Sequence, residues 1–197
     1  LENVWEALKH DKIAIFSIAF LAIILILSLL APVLPLEPNK TDVAHMLEAP
    51  SSVHIFGTDE VGRDYLARVI YGGRISLLVG VLAMLMSITI GVTVGILAGY
   101  LGGIVDSILM RVVDVLQSIP WLILVTVVSI FFKQGLVSIV IVIGFFSWME
   151  IARLVRAEVM SVKEREYVLY ADFTGVSLLK MVIRHLIPSV LPTIIIA

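Results

Sequence analysis

Long uncharged apolar runs decide what this chain can become. They extend from Ile13 to Leu36, from Ile75 to Val105, from Val115 to Phe132 and from Gln134 to Met149, with charged or glycine-rich breaks between them. A hydrocarbon core about 30 Å thick is crossed by about 20 helical residues, so the first two runs suffice by themselves. The third recruits the turn holding Arg111 and Asp114, and the fourth continues as helix through Ile151 and Leu154. These runs make four membrane spans. The stretch from Leu186 to Ala197, 12 residues, reaches little more than half way across and reads as the start of a fifth. Of 197 residues, 60% are hydrophobic and 15% charged, which leaves too little polar surface for a water-soluble globule. The fold class is all-α, a polytopic transmembrane helical bundle.

The apolar part of the first run, Ile13 to Leu30, exceeds the h-region of a cleaved signal peptide, about 7 to 15 residues, so it is expected to stay in the mature protein. The chain opens at Leu1 and stops at Ala197 inside an apolar run, and the natural product is expected to continue. With the N-terminus inside, cytoplasmic segments carry Lys9, Lys12, Arg111, Arg153, Arg156, Lys163, Arg165, Lys180 and Arg184, against Lys40, Arg63, Arg68, Arg74 and Lys133 outside. That bias favours a cytoplasmic N-terminus. A net charge of −2 lacks the positive excess of a nucleic-acid binder, and zero cysteines exclude disulfides, thiolate metal sites and cysteine nucleophiles.

After the first span, Pro32, Pro35, Pro38 and Pro50 with Asn39, Ser51 and Ser52 mark an extended polar loop without much regular structure until Phe56. Gly57-Thr58-Asp59 reads as a turn and N-cap, and Asp64 to Tyr71 as a short amphipathic helix lying on the membrane surface before the second span. Gly91, Gly95 and Gly99, four apart, leave one face of that span smooth for close helix packing. Pro120 is expected to kink the third span. Asp106, Asp114 and Glu150 lie near the ends of uncharged runs, with Arg111 and Arg153 three residues from Asp114 and Glu150, the spacing of local snorkelling pairs. No acid or histidine is read within a span, as a proton-driven carrier would need, although Ser87, Thr89 and Thr93 leave a sodium site open.

Enzyme signatures fail on inspection. Gly57 to Gly62 has phosphate-loop glycine spacing, but Arg63-Asp64 follow where lysine and a hydroxyl are required. Gly175-Val176-Ser177 begins like a nucleophile elbow, yet Leu179 occupies the second glycine position. His10, His45, His54 and His185 form no pair able to hold zinc on one helical face.

The most charged stretch, Met149 to Pro188, is expected to lie mostly outside the bilayer. Tyr167, Tyr170, Ala171 and Thr174 recur at helical spacing, Gly175 follows as a C-cap, and Ser177 can N-cap a return helix through Met181 toward Pro188. The product is a compact cytoplasmic knuckle.

Glu166-Tyr-Val-Leu-Tyr-Ala171-Asp-Phe-Thr-Gly175-Val-Ser177, followed by Arg184-His185-Leu-Ile-Pro188, resembles the EAA loop of ABC importer permeases. Phe56 to Asp64 and Tyr71-Gly-Gly-Arg-Ile-Ser-Leu77 look like the N-terminal signature of the dipeptide, oligopeptide and nickel permease group, in its C-type subunit. Arg111, Asp114 and Pro120, then Trp148, Ala152, Arg153 and Arg156, sit where that group has them. Leu169 and Tyr170 stand where the general loop has glutamate and alanine, and Asp172 replaces a customary basic residue.

The resemblance implies a type I importer permease in three parts. These are a cytoplasmic segment with the first span (1–36), an extracytoplasmic loop with its short helix (37–73) and a truncated permease core (74–197) with the coupling loop at about 160–188. It further implies a bacterial or archaeal inner-membrane protein, not itself an enzyme, that carries peptides or a related small solute such as nickel. Its partners would be a second permease, two ATPases and an extracytoplasmic solute-binding protein. No cofactor is expected on this chain, with ATP and Mg on the ATPases. Glu166, Tyr167, Ala171, Gly175 and Ser177 would make the coupling contact, Ala171 permitting close approach, while His185 and Pro188 shape the return. Two rival readings are an ion-coupled carrier or channel, which predicts flux without nucleotide, and a membrane scaffold, which predicts none.

Overall fold

The computed structural model describes residues 11–132 and 135–196. Leu1, Lys9, Lys133, Gln134 and Ala197, used in the span and charge readings, and His10, weighed as a zinc ligand, lie outside the described residues. Among the described residues, four helical stretches are long and apolar enough to cross a membrane, Lys12–Leu30, Tyr65–Leu101, Leu136–Lys163 and Leu178–Ile195, and the bent pair Gly103–Gln117 and Trp121–Ile130 makes a fifth crossing if it is one span. Two compact units divide within the second helix, after Leu78.

In the first unit, α1 (Lys12–Leu30) begins where the Asp11 carboxylate accepts from the Ile13 and Ala14 N–H groups at 2.9 and 3.1 Å. Nearly all its apolar side chains are exposed, as on a helix whose solvent is lipid, and its 19 residues rise about 28 Å, one crossing. Ser28 and Ala31 are buried, and Ser28 lies against Gly73, where an added Cβ would stand 3.0 Å from its Oγ.

The following loop is more ordered than its prolines imply. Asp42 caps a single 3-10 turn, Val43–His45. The buried Thr58 donates to the His45 carbonyl at 2.5 Å and accepts from the Glu48 N–H at 2.8 Å. Asp59 is not an N-cap but the loop's hub: its carboxylate accepts from the Val61 and Arg63 N–H groups and from the guanidinium groups of Arg63 and Arg68. Burial pushes the Asp59 carboxyl up, but these donors outweigh it and hold it well below the usual carboxylate range. Asp64 takes the capping role, accepting from Ala67 N–H at 2.8 Å. The short surface helix and the second span are one continuous helix, α2 (Tyr65–Leu101), with no break between Tyr71 and Ile75.

In the second unit, α2 ends at Leu101, short of Val105, because Gly102 and Gly103 take φ of +64° and +54°, a conformation costly for residues with a Cβ. Then α3 (Gly103–Gln117) and α4 (Trp121–Ile130) meet at 85°. Pro120 does not kink a continuous helix: the chain unwinds over 118–120, and Pro120 becomes the N-cap position of α4. The next helix, α5 (Leu136–Lys163), runs 28 residues without interruption, so Glu150, Arg153, Arg156 and Glu158 belong to a spanning helix and not to the loop.

Against α5 lies α2. An added Cβ at Gly91, Gly95 or Gly99 would come within 2.7–2.8 Å of atoms of Ile151, Ala152 and the Arg156 carbonyl respectively. Gly144 of α5 is similarly close to Met86, and the buried Ser87 hydroxyl donates to the Gly144 carbonyl at 2.9 Å. Thr89 and Thr93 donate to carbonyls of their own helix at 2.7 Å, so these three hydroxyls do not converge as a cation site would require. Acid–base pairs join α3 to α5, which replaces the local pairing expected from spacing: Arg153 meets Asp114 at 2.7 Å, and Arg156 grips both oxygens of Asp106.

Candidate functional site

Beyond Lys163 the chain turns through Glu164 and Arg165 into α6 (Glu166–Phe173). Val168 and Ala171 point inward, joining a core with Val159, Val162, Met181 and Leu186. Helix α6 ends by hydrogen bonds from Thr174, Gly175 and Val176 N–H to the Tyr170, Asp172 and Ala171 carbonyls at 3.0–3.1 Å. Gly175, at φ +74°, supplies the left-handed residue that this reversal needs. Ser177 holds the N-cap position of α7 (Leu178–Met181) by backbone conformation, but its hydroxyl makes no capping bond.

The return does not stop at Pro188. A π-turn, Val182–Leu186, leads directly into α8 (Ile187–Ile196). Pro188 has no N–H to give the Arg184 carbonyl and its ring crowds that group, so the wider turn relieves the clash. His185 sits here, half-buried, its ring centroid 6.1 Å from that of Tyr167. Tyr167 hydroxyl and Ser189 Oγ are 3.0 Å apart, and Ser189 in turn donates to the His185 carbonyl. The two legs of the knuckle are thereby fastened together.

A second fastening ties the knuckle to α2. Tyr100 hydroxyl donates to Asp172 at 2.9 Å, while Lys163 Nζ donates to the Tyr100 carbonyl at 2.7 Å and lies 5.5 Å from its ring centroid. Asp172, an acid where the loop pattern has a basic residue, thus has an internal partner.

Of the coupling set, Glu166 is exposed in the first turn of α6, where its charge favours the helix N-terminus. Ala171 is only 6% exposed and lets α6 seat closely on Val168, Met181 and Leu186 of its own chain. The outward face consists of Leu169, Tyr170 and Phe173, the last two 73% and 95% exposed. Phe173 escapes a sequence reading whose helical spacing is counted on Tyr167, Tyr170, Ala171 and Thr174. The register 166, 169, 170, 173 also fits one face, and only the inward turn of Val168 and Ala171 chooses between them.

The model of the family described as binding-protein-dependent transport system inner membrane component matches residues 91–197. A second model, the N-terminal TM domain of oligopeptide transport permease C, matches residues 1–50. Among similar curated proteins, the oligopeptide transport system permease protein OppC of Escherichia coli (strain K12) is 44% identical over 201 residues, covering 98% of this chain and 67% of that one. The dipeptide transport system permease protein DppC of Bacillus subtilis (strain 168) is 36% identical over 196 residues, covering 99% and 61%. The OppC protein of Haemophilus influenzae is 37% identical over 196 residues, covering 96% and 63%. The chain spans about two thirds of the length of these relatives.

Proposed function

Because the chain belongs to the family of inner membrane components of binding-protein-dependent transport systems, a family of multi-pass permeases that work with other subunits, we propose that it carries di- or oligopeptides and is driven through its knuckle by a nucleotide-hydrolysing subunit. The relatives named for oligopeptide and dipeptide transport support the substrate class. The full assembly would contain a second permease, two ATPases and an extracytoplasmic solute-binding protein. ATP and Mg would bind the ATPases and no cofactor this chain. The N-terminus would be cytoplasmic, as the distribution of basic residues favours.

One observation carries the coupling reading: α6 holds two nearly bare aromatic rings, Tyr170 and Phe173, on a helix fastened to α2 and α8. Exposed aromatics of this kind serve as anchors in a partner's pocket. A stiff mount lets displacement of that partner move the spans as one body. Glu166, Gly175 and Ser177 set the start and the turn of this handle, Tyr167, His185 and Pro188 brace its return, and Phe173 and Tyr170 make the contact. Phe173→Ser in the complete transporter tests it. Loss of ATPase co-purification and uptake with normal membrane insertion is expected; unchanged association and uptake would contradict it.

A further inference from the structure

The unwound segment between α3 and α4 opens onto a cavity of about 860 Å³. Gln117, Pro120, Trp121, Phe146, Glu150 and Arg153 line it. Its depth follows from the helices. Glu150 lies about 21 Å along α5 from Leu136, within the first 20 or so residues that cross a hydrocarbon core. The Asp114–Arg153 and Asp106–Arg156 pairs hold α3 alongside α5, which brings the break after Gln117 to the same level as Glu150.

Two features of this cavity are costly in lipid. Irregular backbone at membrane depth persists where it is buried in protein or lines a water-filled space. A carboxylate at that depth faces a cavity or a partner for the same reason. Glu150 is exposed and has no ion pair or hydrogen bond among the described residues, whereas Arg153 is neutralised by Asp114. The cavity therefore carries one uncompensated negative charge beside the rings of Trp121 and Phe146, whose faces also attract cations.

We propose that this cavity is a wetted stretch of the translocation path, in which Glu150 receives the protonated amino group of a passing peptide. The inference rests on the peptide-permease reading above and adds to it a residue and an end of the solute. A carboxylate with one ammonium partner at a time suits transit, since a second fixed cation in the cavity would compete for it, and Asp114 keeps Arg153 from that role.

The 197 residues contain no cysteine, so Glu150→Cys introduces a single thiol here. In the complete transporter, cleared of any cysteines elsewhere, it should react with a membrane-impermeant, water-soluble thiosulfonate reagent, and a free-amine peptide in transit should slow that reaction. Glu150→Gln should lower uptake of a free-amine tripeptide about tenfold, the weight of one charge-assisted contact, while ATP hydrolysis stimulated by the loaded binding protein persists. Glu150→Asp should restore most of the uptake. An unreactive thiol in the Glu150→Cys variant would overturn the proposal by placing residue 150 in lipid or against the second permease. Unchanged uptake in Glu150→Gln would overturn it too, as would loss of uptake together with loss of stimulated hydrolysis, which would make Glu150 a framework residue. Failure of the coupling reading is separable, because it would appear as unmodified transporter that never engages an ATPase.

Discussion

The loop over residues 31–64 and the knuckle after Lys163 are both polar interruptions of an apolar chain, yet they dispose of their charge in opposite ways. In the loop, Asp59 is gripped by Arg63 and Arg68, Asp42 meets His45 at 2.9 Å, His54 meets Asp64 at 2.8 Å and Glu37 meets Lys40 at 2.8 Å. In the knuckle, Glu166, Lys180 and Arg184 form no ion pair among the described residues, and Phe173 stands bare at the end of α6. Apart from Glu48 and Glu60, the loop's charges are spent on its own shape. The knuckle is fastened at its base and left open at its face, as a segment completed by another protein would be.

The comparison breaks most plainly at its exposed end. Phe173→Asp should remove ATPase association and reduce uptake tenfold or more, since hot-spot aromatics carry about 2 kcal/mol or more each. Its effect on the folded permease, read by size-exclusion profile, should be small because the side chain touches little of its own chain. A mutant that loses its folded profile would show the face to be structural after all.

A smaller effect is expected in the helix seam beneath the knuckle. Gly95→Leu forces atoms into a space where Ala152 O and Val155 Cβ stand 2.7 and 2.8 Å from an added Cβ, and overpacking of this kind costs about 1–3 kcal/mol. Thermal unfolding of the purified complex should register it. Gly80→Ala, where nothing lies within 4 Å, should leave the midpoint nearly unchanged.

The loop should respond to acid in a defined direction. Because Asp59 has its carboxyl depressed in the folded state, the stabilisation it provides is complete above the unfolded value near 3.8 and is lost as pH falls toward the lower folded value. Limited proteolysis of the loop should therefore accelerate only in strong acid. Asp59→Asn should flatten that dependence and make the loop protease-sensitive at neutral pH. The smallest effect is expected from Tyr100→Phe, which removes one partly exposed hydrogen bond worth at most about 1 kcal/mol. Uptake per ATP should fall modestly with assembly intact; an unaltered ratio would show that the Tyr100–Asp172 tie does not stiffen the knuckle.

Much of this is legible in the sequence. Apolar runs locate α1, α2 and the start of α5, but not the 85° break inside the third run nor the candidate span that begins at Leu178 within the charged stretch; Gly175 and the Tyr167–Thr174 spacing locate α6 with its reversal. What escapes depends on partners distant along the chain. Asp114 and Arg153 are 39 residues apart, so spacing offers Arg111 as the nearer choice. Hydropathy ends the fourth run at Met149 because charge appears there, although α5 continues 14 residues further, its arginines held by α3. The loop is hard to read because prolines deny regular structure without denying order, which here comes from Thr58 and Asp59 side chains. Ala171 marks close approach, and its seat in the core with Val168, Met181 and Leu186 shows that its own chain is one of the bodies that approach.

The most direct test places a single thiol on the knuckle's bare face. Phe173→Cys, in the assembled transporter and treated with a short bifunctional thiol reagent, should yield an adduct joining this permease to the nucleotide-hydrolysing subunit. A thiol that is labelled only from the extracytoplasmic side, or that gives no adduct while the ATPase stays bound, would contradict the account.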